Sequence, residues 1–256
     1  MKLDVVFTPV LLDKPNLQGN LCAVVDVLRA TSTIVTALAS GAAAVRPCLN
    51  VAEARREAAK MGPGRALLGG EEMGQLIPGF DLGNSPLEYM SEGTVSGKTI
   101  YFYTTNGTGA IRRARAESGQ PTFIAALLNV SAACAAIAEA YQSRPGKGIA
   151  VICSGRYGKP SAEDIFCAGL IAAGVASAVR CSGNTPELTD SAAVAAGFAQ
   201  ASIERAHDVL CSSEHGRYLQ SLGFEADLEF ASRLDAFNAV PVFDGERIVL
   251  MDRPTN

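Results

Sequence analysis

Residues 21–41 read LCAVVDVLRATSTIVTALASG. The first part, LCAVVDVL, is a continuous, Val-rich apolar run, the composition of a strand buried on both faces. The second part, TSTIVTALASG, opens on hydroxyl residues and closes on glycine, which are helix start and stop signals. A buried strand feeding directly into a helix is the building unit of a parallel sheet. Working outward, the same alternation recurs. LDVVFTPV, AAVRPCL, RALLGG, TIYFYTT, PTFIAALL and GIAVICSG are strand-like, each closed by Gly, Pro, Asn or Thr. Between them, VAEARREAAKMG, GTGAIRRARAESG, VSAACAAIAEAYQ and SAEDIFCAGLIAAGVASAV have helical character. The alternation predicts a layered α/β chain with a largely parallel sheet.

Two segments depart from that rhythm. Over 185–235 strand signals stop and consecutive helices are expected, a helical part of what reads as one domain spanning 1–256 with room for two subdomains. Over 239–251 two apolar runs flank Asp244-Gly245, a hairpin signal, and these strands are expected at a sheet edge.

Composition removes several function classes. The net charge is −4 with no basic run and no Trp, so there is no electrostatic footprint for nucleic acid. The apolar runs are short, the amino terminus MKLDVVFTPV lacks the order of a secretory signal, and no membrane association is expected. Seven widely spaced cysteines read as reduced, buried thiols, which makes the cytoplasm the expected location. Two histidines and no CxxC pair leave too few ligands for structural zinc. A small-molecule partner follows, and a homo-oligomer is left open.

In an open α/β sheet, ligands bind where strands end and loops lead into helices. Four such loops concentrate chemistry: VDVLRATST at 25–33, GGEEMGQLIPGFDLGNSPLEY at 69–89, YTTNGTGA at 103–110 and CSGRYGKPSAEDI at 153–165. In the first, Asp26 and Arg29 precede Thr31, Ser32 and Thr33; hydroxyls and free N–H groups at a helix start suit an anion, and Arg29 adds a forked cation. The alternative is a capping series with Arg29 paired to an acid. The third loop has close-approach glycines but neither a P-loop nor a dinucleotide fingerprint. The fourth sets Arg156 and Lys159 before Glu163 and Asp164, acids that also suit a helix dipole without any function. His215 in SSEHGRYL fits either a helix cap or a site. Collected, oxygen-only acids, hydroxyls and Arg suit Mg²⁺ and phosphoryl chemistry.

With those pieces in view, the chain resembles the 2-phosphosulfolactate phosphatase family, the ComB-like phosphatases of coenzyme M biosynthesis. The carrying stretches are VDVLRATSTI, GGE with GFDLGNSPLEY, TTNGT and CSGRYGKPSAEDIFCAG, in order over most of the chain. The resemblance implies a three-layer α/β/α fold with a mixed, largely parallel sheet and a C-terminal helical segment. It implies a Mg²⁺-dependent hydrolase of (2R)-2-phospho-3-sulfolactate or a related 2-hydroxycarboxylate phosphate ester. Carried onto this chain, Asp26, Arg29, Glu71 and Asp164 are the expected catalytic residues. Thr31, Ser32, Asp81, Asn84, Ser85, Thr105, Asn106, Thr108 and Arg156 are the expected substrate contacts, and Asp26, Glu163 and Asp164 the expected metal ligands. Glu72 stands where the family pattern leads to an Arg, which points to a changed grip on the sulfonate part. Leu28 replaces the second acid of an aspartyl-phosphate motif and Cys153 lacks a CxxxxxR loop, so direct water attack is the expected route. The rival reading is a non-catalytic phosphoester- or anion-binding module on the same loops.

Overall fold

The computed structural model describes residues 1–12, 17–91, 93–143 and 147–251. The expected alternation is realised as β1 (Lys2–Val6), β2 (Leu21–Val25), α1 (Ala30–Ala39), β3 (Ala44–Pro47), α2 (Val51–Ala58), β4 (Ala66–Glu72), β5 (Gln75–Leu76), β6 (Thr99–Tyr103), α3 (Gly107–Ser118), β7 (Thr122–Ala125), α4 (Val130–Ser143), β8 (Gly148–Cys153) and α5 (Ala162–Cys181). There follow β9 (Glu187–Leu188), the helices α6 (Asp190–Ser202), α7 (Ala206–Ser212), α8 (Glu214–Ser221) and α9 (Glu225–Ala231), and then β10 (Pro241–Phe243) and β11 (Ile248–Leu250). The expected helical segment is therefore present, interrupted only by the two-residue β9, which is too short to leave a periodic signal.

Among the described residues the strands form one sheet in the order β5-β4-β6-β3-β11-β10-β7-β2-β8-β1-β9. It contains two parallel blocks, β4-β6-β3 and β7-β2-β8-β1-β9. The terminal hairpin joins them through antiparallel pairs on both sides. The expectation of edge strands is thus corrected: β10 and β11 sit in the middle of the sheet. Phe243 and Ile248 are buried there, and their burial between the two blocks is the reason.

Helices cover the sheet on both faces, giving three layers. On one side, Leu3, Val25, Ile149 and Val151 pack against Ile137 of α4, Phe166 and Ile171 of α5, and Leu219 of α8. On the other, Val24 and Ile152 share a cluster with Ile34 and Leu38 of α1, Ile111 of α3, and Ile100 and Phe102 of β6. Helices α1 and α3 therefore pack against both parallel blocks, which gathers the exits of β2, β4, β6 and β8 at one place. The outer face of β6 is closed by α2, through Ala54 with Tyr101. Helix α5 is long and apolar enough to cross a membrane by length and composition, with a mean hydropathy of 1.6, yet 61% of that window is buried inside this core.

Candidate active site

The first loop is organised by its own side chains. Asp26 follows β2 and its Oδ1 accepts the Ala30 N–H at 3.1 Å, which fixes the carboxylate at the start of α1. Thr31 Oγ1 accepts the Asp26 N–H and donates to the Asp26 carbonyl, both at 2.9 Å. Ser32 Oγ donates to the Val27 carbonyl at 2.8 Å, and Thr33 Oγ1 to that of Asn84 at 2.7 Å. The hydroxyls read as anion donors thus knit backbone, and Thr31 and Ser32 lie behind the cleft rather than in its wall.

Arg29 is a hub. Its Nη1 donates to Asp227 Oδ2 at 2.7 Å and its Nη2 to the Gly74 carbonyl at 2.7 Å, with the guanidinium carbon 4.1 Å from the centre of the Phe224 ring. The second oxygen of Asp227 accepts Ser85 Oγ at 2.5 Å. Both members of the ion pair are almost wholly buried. The β2 loop, the β4–β5 turn, the Ser85 loop and α9 are joined at this one pair.

Glu71, at the end of β4, is saturated with donors. Oε1 accepts the Thr105 N–H at 2.7 Å, and Oε2 accepts the Gly74 N–H at 2.6 Å and Thr105 Oγ1 at 3.2 Å. Its neighbour Glu72 is exposed and outside the cleft wall. Asp81 is exposed as well, with Oδ2 accepting the Leu68 N–H at 2.8 Å. Thr108 exchanges hydrogen bonds with Thr104, and Asn106 Oδ1 accepts the Tyr157 N–H at 3.1 Å. Gly107 opens α3 against Asp26: a Cβ there would come within 2.6 Å of Asp26 Oδ2 and 2.5 Å of the Ala30 Cβ. Only glycine permits that approach.

The acids at the start of α5 divide. Asp164 accepts the Val27 N–H through Oδ1 and the Gly155 N–H through Oδ2, both at 2.9 Å, bracing the exits of β2 and β8. Glu163 is buried beside it; Oε1 lies 3.5 Å from His215 Nδ1, and Oε2 has no hydrogen-bond partner among the described residues. Burial pushes the Asp26 carboxyl up to about 6; His215 and the Ala30 N–H oppose the rise, and the Glu71 and Glu163 charges add to it. Burial, then the charges of Glu163 and Asp26, drive Asp164 well above the usual carboxylate range, against the two backbone N–H groups.

These elements enclose a narrow cleft of about 20 Å³ whose wall includes Asp26, Arg29, Glu71, Asn84, Thr105, Asn106 and Arg156. The Oδ1 of Asn84 is buried without a partner among the described residues. Ser85 and Thr108 stand one layer behind. The wall also contains His215 and Tyr218. Their spacing of three on α8 puts both on one helix face, a pattern in SSEHGRYL that marks them as a pair. Ser213 caps that helix by accepting the Gly216 N–H at 2.8 Å.

A family model described as 2-phosphosulpholactate phosphatase matches residues 6–246. The chain belongs to the 2-phosphosulfolactate phosphatase family. Among its relatives is a Symbiobacterium thermophilum protein named "Probable 2-phosphosulfolactate phosphatase", 41% identical over 92% of this chain and 96% of its own length. Proteins of the same name from Pseudothermotoga lettingae and Thermotoga maritima are 38% and 39% identical, covering 96% and 90% of this chain and 98% and 92% of their own lengths. No three His, Cys, Asp or Glu side chains among the described residues converge as a self-sufficient ligand set. Mg²⁺ does not require one, because it keeps several waters and takes one or two carboxylates plus substrate oxygens. A buried Glu163 oxygen without a partner, near an Asp26 raised by burial, fits that demand.

Proposed function

We propose that this chain is a Mg²⁺-dependent phosphatase that hydrolyses (2R)-2-phospho-3-sulfolactate to (R)-3-sulfolactate and phosphate. The observation that carries the reading is the buried Asp26 in a cleft wall that also includes Arg29, Glu71, Asn106 and Arg156, with the buried Glu163 in the adjoining cavity across His215. Membership of a family bearing that activity's name supports the substrate. Glu163 and Asp26 would hold the cation, with Asp164 behind them fixing the two loops. Bound there, Mg²⁺ supplies charge neutralisation at the phosphoryl oxygens.

The chain's own groups do the rest. Arg29 and the backbone N–H groups that open α3 hold the phosphoryl group in the slot. Asp26, fixed at the start of α1 by the Ala30 N–H, orients the attacking water and takes its proton. The phosphorus–oxygen ester bond breaks, and the proton returns to the alkoxide that leaves. Cys153 is fully buried with its thiol driven well above its usual range, first by burial and then by Asp164, which argues against a thiolate nucleophile. The mostly buried, unpaired cysteines support a reducing compartment such as the cytoplasm as the setting.

Phosphate release from phosphosulfolactate, phospholactate and phosphoglycolate, with Mg²⁺ and with excess EDTA, tests the proposal. Mg²⁺-dependent turnover of phosphosulfolactate is expected. Tight binding of all three esters without turnover would replace it with an anion-binding module.

A further inference from the structure

The helical segment after β9 holds a pair of side chains that the hydrolytic cleft does not use. Helix α7 buries Ala206, Val209 and Leu210 in the main core, so it is fixed from its inner side. His207 and Cys211, four residues apart, are left on a face that reaches solvent, His207 exposed and Cys211 half-buried. Their side chains meet. The Cys211 sulfur lies 3.4 Å from His207 Nε2 and 3.9 Å from Nδ1, so Nε2 is the nitrogen that faces the thiol.

A thiolate sulfur and an imidazole nitrogen are donors of the kind that bind zinc, with bonds of about 2.3 Å and about 2.0 Å in a tetrahedral arrangement. Those lengths at a tetrahedral angle set sulfur and nitrogen about 3.5 Å apart. The pair already stands at that spacing on an anchored helix. Burial, then the Asp208 charge, raises the Cys211 thiol above its ordinary value, so the sulfur keeps its proton until a cation displaces it. Access is open. His207 and Glu204 line a surface groove of about 640 Å³, in which Arg233 is paired with Glu229 at 3.6 Å. The carboxylates of Glu204 and Asp208, flanking the pair in sequence, add charge that favours a cation.

We infer that His207 and Cys211 form an accessory binding site for a thiophilic divalent cation, Zn²⁺ by the chemistry of the two donors, with water in the remaining positions. On binding, a metal–sulfur and a metal–nitrogen bond form, the S–H bond breaks, and its proton passes to solvent. The site is separate from the cleft, whose oxygen donors suit Mg²⁺. It stands whether or not that cleft hydrolyses phosphosulfolactate. It is not a structural zinc either, because the buried residues of α7 hold the helix without a metal.

The test titrates Zn²⁺ calorimetrically into the reduced chain, with excess Mg²⁺ present to occupy oxygen ligands. Wild type is compared with Cys211→Ser and His207→Gln, and with Cys181→Ser as the control, since Cys181 is an exposed thiol elsewhere. Two donors held together act as a chelate, so losing either should weaken Zn²⁺ binding roughly a hundredfold. Cys181→Ser should bind as wild type does. No binding by wild type, or a loss smaller than about tenfold in either site variant, would overturn the site. The exposed position of His207 keeps that variant folded should Cys211→Ser fail to fold. Alkylation by iodoacetamide followed by peptide mapping supplies a second readout. Zn²⁺ should protect Cys211 and leave Cys181 reactive; equal protection of both thiols, or none at Cys211, would refute the inference.

Discussion

Replacing Asp227 with Ala should destabilise the protein strongly from a helix far from it in sequence. The substitution removes the counter-charge 2.7 Å from Arg29 Nη1, in a pair whose side chains are 2% and 3% exposed. Deleting one partner of a buried pair leaves an uncompensated charge, at a cost of about 3–5 kcal/mol. The Ser85 hydroxyl, which donates to the other Asp227 oxygen, loses its acceptor as well and adds about 1 kcal/mol. In a chain of this length, each kcal/mol lowers the midpoint by about 2–4 °C, so a fall of roughly 10 °C or more is expected. Thermal unfolding followed by circular dichroism measures it. The double variant Arg29→Met with Asp227→Ala is the control on the reasoning: without the orphaned charge, it should unfold at a higher temperature than Asp227→Ala alone. A midpoint for Asp227→Ala within about 2 °C of wild type, or a double variant less stable than either single one, would refute the argument.

Three further outcomes follow from the same geometry. Asp26→Asn should abolish hydrolysis yet raise the unfolding midpoint of metal-free protein at pH 7.5, by an amount that vanishes near pH 4. The sign follows from the folded carboxyl titrating near 6 rather than 3.8: its contribution is present below the unfolded value and lost as pH rises through the folded one. Calorimetry across that range checks it. Gly107→Ala, whose Cβ would press on Asp26 Oδ2 and on Ala30, should cost about 1–3 kcal/mol and most of kcat, read by urea unfolding and phosphate release. Cys153→Ala should retain turnover; its loss in a variant of native circular dichroism would restore a thiol mechanism.

The sequence revealed the strand–helix alternation because each element carries its own period, as LCAVV and ATSTIVTALA do in β2 and α1. It did not reveal where a short strand pairs. Three-residue β10 and β11 advertise a hairpin through Asp244-Gly245, but their central place depends on partners in β3 and β7 more than a hundred residues away. The site divides along the same line. Acids and glycines at strand exits were legible as a group, and of them Asp26, Glu71 and Gly74 line one cleft. Which of them face the cleft was not, because a hydroxyl uses the same atoms to bind an anion or to tie its own backbone, and Thr31 and Ser32 do the latter. Arg29 shows both readings at once: a cleft residue paired with an acid 198 positions along. No local pattern announces such a partner.

The central claim is tested most directly by following phosphate release from (2R)-2-phospho-3-sulfolactate by the purified chain while Mg²⁺ is removed with EDTA and then restored. The account predicts turnover that stops on chelation, returns on addition of Mg²⁺, and is absent throughout in Asp26→Asn. Release that continues unchanged in excess EDTA, or full activity in Asp26→Asn, would contradict it.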